Sequence, residues 1–82
     1  PGGRLVGGGG LQGAALNAAE ETAFHAFVEG GIGFLDMAEI VETVMDRMHD
    51  GRSGATIDDV FAADDEARNH ARELIATKEK AA

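Results

Sequence analysis

Two of the three histidines of the chain lie at spacings from acidic residues that could hold a divalent metal ion. The three histidines are His25, His49 and His70. Glu21, His25 and Glu29 recur at steps of four, which places them on one helical face. The second acidic group around a histidine comprises Asp46, His49 and Asp50. A metal site in a helical bundle also needs ligands from a facing helix, and no compelling set is present. We therefore expect solvated acidic faces and no metal ligands.

A glycine pattern near the start of the chain matches the fingerprint of dinucleotide-binding domains. Gly8, Gly10 and Gly13 fit G-x-G-x-x-G, and Asp36 follows where a ribose-binding acid is expected. In such a site the pyrophosphate rests on a helix N-terminus. However, the strand before these glycines would have only about two apolar residues, and no further strands are predicted after Asp36. A minimal dinucleotide binder stays open as a hypothesis, but a chance match in a glycine-rich chain explains the pattern better.

Other catalytic and binding patterns are incomplete. Ser53 is the only serine and lies in a glycine turn, so it does not match the phosphopantetheine site of acyl carrier proteins. Residues 50–61 have the length of a calcium loop, but Ala55 and Phe61 occupy the places that require glycine and a bidentate glutamate. The chain has no cysteine. We expect no nucleophilic catalytic centre.

The size and charge of the chain restrict its class and its partners. The 82 residues fit one small domain, and 7 Lys+Arg against 15 Asp+Glu give a net charge of −8. Nucleic acid and anionic lipid would repel such a surface. No apolar run approaches the roughly 18 residues of a membrane span, and no secretory signal pattern is present. We expect neither nucleic acid nor membrane as a partner.

Helical periodicity predicts the elements that must position these residues. Residues 1–13 are glycine-rich and are predicted to form a linker or loop, and residues 14–82 a helical domain. The expected helices span residues 14–29, 37–49, 57–62 and a last stretch from Asp64. The expected caps are Gly30-Gly31 after the first helix, Asp36 before the second and the pair Thr56 and Asp59 before the third.

The predicted fold class is all-α, a small bundle of three to four helices preceded by a glycine-rich segment. One modest apolar core should hold the helices together. The expected core residues are Leu16, Ala23, Phe27, Phe34, Ile40, Val44, Ile57, Val60, Ala71 and Leu74.

Two linked motifs resemble a known enzyme family. Residues 15–21 read ALNAAEE, and residues 26–37 read AFVEGGIGFLDM. They resemble the C-terminal domain of 1-deoxy-D-xylulose 5-phosphate reductoisomerase, which typically reads L-N-A-A-N-E, then an apolar pair, a glycine, I-x-F and D-I. Glu20 stands where that family has its second Asn. Order and spacing agree from about Gly13 to Ile75.

The resemblance implies a non-catalytic helical domain that packs against the catalytic body of its enzyme and braces it. The parent enzyme is an oxidoreductase of the methylerythritol phosphate route of isoprenoid biosynthesis. It uses NADPH and a divalent metal, Mg or Mn, and is expected to be a homodimer in the bacterial cytoplasm or the plastid. The nucleotide and metal sites of the family lie upstream of the matched region, so no catalytic, cofactor or metal residue is carried over to this chain.

Asn17, Glu21 and Asp36 match motif positions and are expected to have structural or docking roles. A simpler interpretation makes Asn17 a helix cap and Glu21 a helical partner of His25. The alternative function is a free-standing acidic helical adaptor that binds a basic or apolar partner, because the chain is acidic and some apolar faces could be unpaired.

Overall fold

A computed structural model describes residues 10–48 and 56–81, which form three helices. The helices are α1 (Gly10–Val28), α2 (Phe34–Arg47) and α3 (Ile57–Ala81). These two ranges contain no strand, so the predicted all-α bundle is confirmed. Expectations about Gly8, His49, Asp50 and Ser53 lie outside the described residues.

The long helices α1 and α3 run in the same direction, and α2 runs against both. Glu21 of α1 contacts Arg68 of α3, and further along Gly31 lies beside Glu79. The C-terminal end of α2, in contrast, meets the middle of α3, where Arg47 contacts Glu73. The short α2 therefore covers only the C-terminal part of the α1–α3 pair.

Helix α1 begins at Gly10 and not at Ala14, so the expected boundary between linker and helical domain falls inside it. Leu11 packs against the core. This contact stabilises the first turn of α1, which the glycines in it would otherwise disfavour because glycine loses much backbone entropy in a helix. Gly10 and Gly13 therefore belong to the helix itself. Residues 1–9, which include the expected strand and Gly8, lie outside the described residues, so the dinucleotide hypothesis stays a prediction.

The end of α1 matches its prediction. Gly30 has a positive φ of 84°. Its N–H donates to the carbonyl of Phe27 at 3.0 Å, and the N–H of Gly31 donates to that of Ala26 at 3.0 Å. This is a Schellman cap, in which glycine adopts the left-handed backbone that other residues avoid.

The start of α2 differs from its prediction by one turn. Gly33, and not Asp36, is the N-cap, and Asp36 is the third helical residue. The Asp36 carboxylate accepts a hydrogen bond from the Gly33 N–H at 2.9 Å. Asp36 thus stabilises the helix start from inside the first turn, where an acidic side chain also favours the helix dipole.

Helix α3 is continuous, whereas a short helix followed by a second one was expected. Its start is as predicted, because Thr56 and Asp59 exchange two hydrogen bonds of 3.1 Å between backbone N–H and side chain. No glycine or proline interrupts residues 57–81, so nothing ends the helix at Ala62. Asp64 consequently lies inside α3 and not at a helix start.

The core consists mainly of alanine. The buried alanines of α1 are Ala15, Ala18, Ala19 and Ala23, and those of α3 are Ala63, Ala67 and Ala71. Steps of four put the α3 alanines in one row, and small side chains allow two helices to approach closely. Ile40 and Val44 of α2 close the core and are its largest fully buried side chains.

Six of the ten predicted core positions are not fully buried. Ala23, Ile40, Val44 and Ala71 are buried as expected. Phe27, Val60 and Leu74 are half-buried. Leu16, Phe34 and Ile57 are exposed, with Phe34 at 66% and Ile57 at 70%. We call the buried alanines of α1 and α3 the alanine seam; their close approach leaves no room for large side chains between these two helices.

Candidate docking surface

An open groove of 760 Å³ lies between α1 and α2. Its apolar floor comprises Phe24, Phe34, Met37, Ala38 and Val41. Its polar rim comprises Asn17, Glu20, Glu21 and Glu42. We call this surface the α1–α2 groove.

The floor exists because the apolar stripe of α2 is wider than its core contact requires. Phe34, Met37 and Val41, together with Ala38, follow the i, i+3, i+4, i+7 pattern of one helical face. The core contact uses the neighbouring positions Ile40 and Val44. Among the described residues Phe34 and Ala38, on the outer part of the stripe, stay exposed, whereas Met37 and Val41 are half-buried against the core.

Two phenylalanines give the floor most of its exposed apolar surface. Phe24 is 57% exposed and Phe34 is 66% exposed. The Phe34 ring is fixed by an edge-to-face contact with Phe27, with ring centroids 6.0 Å apart. Large exposed apolar side chains that share one concave surface are typical of interaction sites.

The rim of the groove is acidic, and among the described residues one of its three carboxylates, that of Glu21, is paired. Arg68 donates to Glu21 at 2.6 Å and to Asp64 at 2.6 Å. These hydrogen bonds, first that of Asp64 and then that of Glu21, raise the pKa of Arg68 above its ordinary value. Glu20 and Glu42 have no ion-pair partner among the described residues, and no lysine or arginine lines the groove.

The structure places two of the three residues that match the family motif on the groove rim and the third outside the groove. Asn17 is exposed on the groove rim, well inside α1, so it cannot cap that helix. Glu21 lies on the same rim and pairs with Arg68 of α3 and not with His25. Asp36 lies outside the groove, at the start of α2, where Lys78 approaches it at 3.6 Å.

The predicted histidine groups do not form a metal-binding arrangement in the described part of the chain. His25 contacts Glu29 at 3.8 Å, and both side chains are exposed. Glu21, the third member of that group, is held by Arg68. In residues 10–48 and 56–81 no three His, Cys, Asp or Glu side chains are arranged to hold a metal ion.

Sequence reasoning did not identify the groove residues Glu20, Phe24, Phe34 and Glu42 as one surface. Phe34 was assigned to the core, because the periodicity of a helix shows which residues share a face but not what covers that face. The excess width of the apolar stripe on α2 was the available indication of an exposed surface.

None of the helices in the described ranges has the length and hydropathy needed to cross a membrane.

Comparison with known proteins identifies one family consistently. The family model described as DXP reductoisomerase C-terminal domain matches residues 4–70. The 1-deoxy-D-xylulose 5-phosphate reductoisomerase of Agrobacterium fabrum is 88% identical over 74 residues, which are 90% of this chain and 19% of the relative. The enzyme of the same name from Rhizobium rhizogenes is 64% identical over 74 residues, again 90% of this chain and 19% of the relative.

A third similar protein, the 1-deoxy-D-xylulose 5-phosphate reductoisomerase of Sinorhizobium fredii, is 60% identical over 72 residues, 88% of this chain and 18% of the relative. The chain thus spans about a fifth of the length of these curated relatives. No solved structure gives a significant match.

Proposed function

Because the chain belongs to the 1-deoxy-D-xylulose 5-phosphate reductoisomerase family, as its C-terminal domain, we propose that it is a non-catalytic brace for the catalytic body of that enzyme. The observation that carries the proposal is the family match over residues 4–70. The α1–α2 groove supports it, because an exposed apolar surface with a polar rim suits docking onto another domain.

The activity that we propose for the whole enzyme is the NADPH-dependent conversion of deoxyxylulose phosphate to methylerythritol phosphate, in isoprenoid biosynthesis. The relatives reported above come from bacteria, which favours the bacterial cytoplasm over the plastid. We place NADPH, the divalent metal and the contacts of a homodimer in the four-fifths of the enzyme outside this chain. No residue of this chain is assigned a catalytic step.

The alternative of a free-standing acidic adaptor finds no support in the comparisons. It rested on the net charge of −8 and on exposed apolar faces. A domain that docks onto the rest of its own enzyme has both features, so they do not distinguish the two functions. The family match does distinguish them. An unrelated adaptor would not be expected to be 88% identical to a reductoisomerase over 90% of this chain.

A domain replacement tests the proposal. This chain would replace the matching C-terminal part of the Agrobacterium fabrum enzyme, and NADPH consumption would be followed with deoxyxylulose 5-phosphate as substrate. We expect turnover close to that of the parent, and a large loss when the parent is truncated before this domain. A truncated enzyme as active and as stable as the full-length one would contradict a bracing role.

A further inference from the structure

The α1–α2 groove carries an unbalanced negative charge. Glu20 on α1 and Glu42 on α2 line its two sides, and neither has a cationic partner among the described residues. Glu21 on the same rim is compensated by Arg68, whose side chain is only 26% exposed. The two carboxylates therefore flank the apolar floor without a compensating charge from the residues that the structure describes.

Three acidic residues at the contact between α2 and α3 are, in contrast, paired. Lys78 of α3 contacts Asp36 and Glu39 of α2. Arg47 of α2 contacts Glu73 of α3 at 3.2 Å. Where this domain packs against itself, each of these carboxylates meets a cation. The groove is the concave surface at which carboxylates and apolar side chains are both present and the cations are absent from the lining.

We propose that the α1–α2 groove binds a segment of the enzyme's own body in which one or two apolar side chains are flanked by lysine or arginine. This inference rests on the proposed function. The apolar side chains would cover Phe24, Phe34 and Val41, while the cations would pair with Glu20 and Glu42. The exposed amide of Asn17, on the same rim, would be available to hydrogen-bond the backbone of the segment.

Two observations favour the enzyme's own body over a second copy of this chain. In the relatives the matched region is about a fifth of the polypeptide, so in those enzymes a much longer part of the same chain is tethered to it at high effective concentration. A second copy would also bring a net charge of −8 and the same acidic rim towards Glu20 and Glu42. Juxtaposed like charges disfavour that pairing.

Photo-crosslinking identifies the segment that occupies the groove. It uses the full-length fusion enzyme, in which this chain replaces the matching C-terminal part of the Agrobacterium fabrum enzyme. The photoreactive residue p-benzoylphenylalanine would replace Phe24 in the groove, and after irradiation the linked peptide would be identified by mass spectrometry. The matched control replaces Phe61, which is 66% exposed on α3 and does not line the groove. We expect position 24, and not position 61, to link to a body segment that has apolar residues flanked by lysine or arginine.

Charge reversal tests the chemistry of the contact. Glu42→Lys should lower the cross-linking yield from position 24 by about fivefold or more, because it places like charges at the rim. Asp65→Lys makes the same charge change on an exposed part of α3 outside the groove and should leave the yield unchanged. Glu20→Lys should act like Glu42→Lys.

The outcomes separate this inference from the proposed function. A fusion enzyme that turns over substrate but forms no cross-link from position 24 overturns the inference alone. So does a link to a segment without cations, a link to the groove of a second copy, or a yield that Glu42→Lys and Asp65→Lys change equally. Activity that is independent of the whole domain overturns the proposed function as well.

Discussion

Arg68 joins the two long helices through one guanidinium group. It donates to Asp64 on its own helix and to Glu21 on α1. Exposed ion pairs contribute little to stability, typically about 0.2–1 kcal/mol, but this one also compensates one of the three rim carboxylates. The charge left at the groove is therefore that of Glu20 and Glu42.

Lys78 is a second cation between helices, and its effect should depend on pH. A hydrogen bond with Glu39 is the main cause that raises the pKa of Lys78 above its ordinary value of 10.5. Because the pKa is higher in the folded state, the contribution to stability is fully present below 10.5 and is lost as the pH rises through the folded value.

Lys78→Met should therefore destabilise the domain by a constant amount from neutral pH up to about 10, and by less at higher pH. The measurement is the urea midpoint of the wild-type and variant chains across this range. Glu39→Gln in the Lys78→Met background is the control, because it should add little once the cation is gone. If the urea midpoints of the variant and the wild type differed by the same amount at every pH, the assignment of a raised pKa to Lys78 would be contradicted.

At the scale of the element, two of the three expected caps were predictable, whereas the N-cap of α2 and the extents of the helices were not. Gly30-Gly31 and the pair Thr56 and Asp59 act through local backbone contacts, which their order in the sequence already specifies. The early start of α1 depends instead on the packing of Leu11, a tertiary contact. The continuity of α3 likewise depends on the buried row that begins at Ala63.

Alanine substitutions at Gly30 and Gly13 should change stability in opposite directions, although both positions have space for a Cβ atom. A Cβ at Gly30 or Gly13 would meet no atom within 4 Å, but Gly30 has a φ of 84°. Gly30→Ala should cost about 1–2 kcal/mol of stability, because other L-residues are strained in that conformation. Gly13→Ala, inside α1, should gain about 0.5–1 kcal/mol. Chemical denaturation measures both changes in stability. If both variants were stabilised, or both destabilised, the assignment of Gly30 as a left-handed helix cap would be contradicted.

The alanine seam should not accept larger side chains. Ala67 is fully buried between α3 and α1, and Leu at this position should cost about 1–3 kcal/mol by overpacking. Ala62 is exposed on the same helix, so Ala62→Leu should change stability by no more than about 0.5 kcal/mol. Equal denaturation midpoints for the two variants would show that the seam is not closely packed.

At the scale of the whole molecule, the sequence predicted the class and the family better than the surface. The helical periodicity and the motif around Asn17 and Glu21 sufficed for an all-α domain of a reductoisomerase. The groove was not predicted, because Phe34 is equally apolar in a core and on an exposed floor. Among the described residues no further helix covers the outer side of α2, so Phe34 stays exposed there.

The central claim is that this chain docks onto a reductoisomerase body and supports an active site that lies elsewhere. The most direct measurement adds the separate 82-residue chain to the Agrobacterium fabrum enzyme truncated before its matching domain, and follows NADPH consumption with deoxyxylulose 5-phosphate. We predict that turnover recovers and saturates with added chain, and that Glu42→Lys shifts the recovery to higher concentration. No recovery, with the added chain shown to be helical by circular dichroism, would contradict the claim.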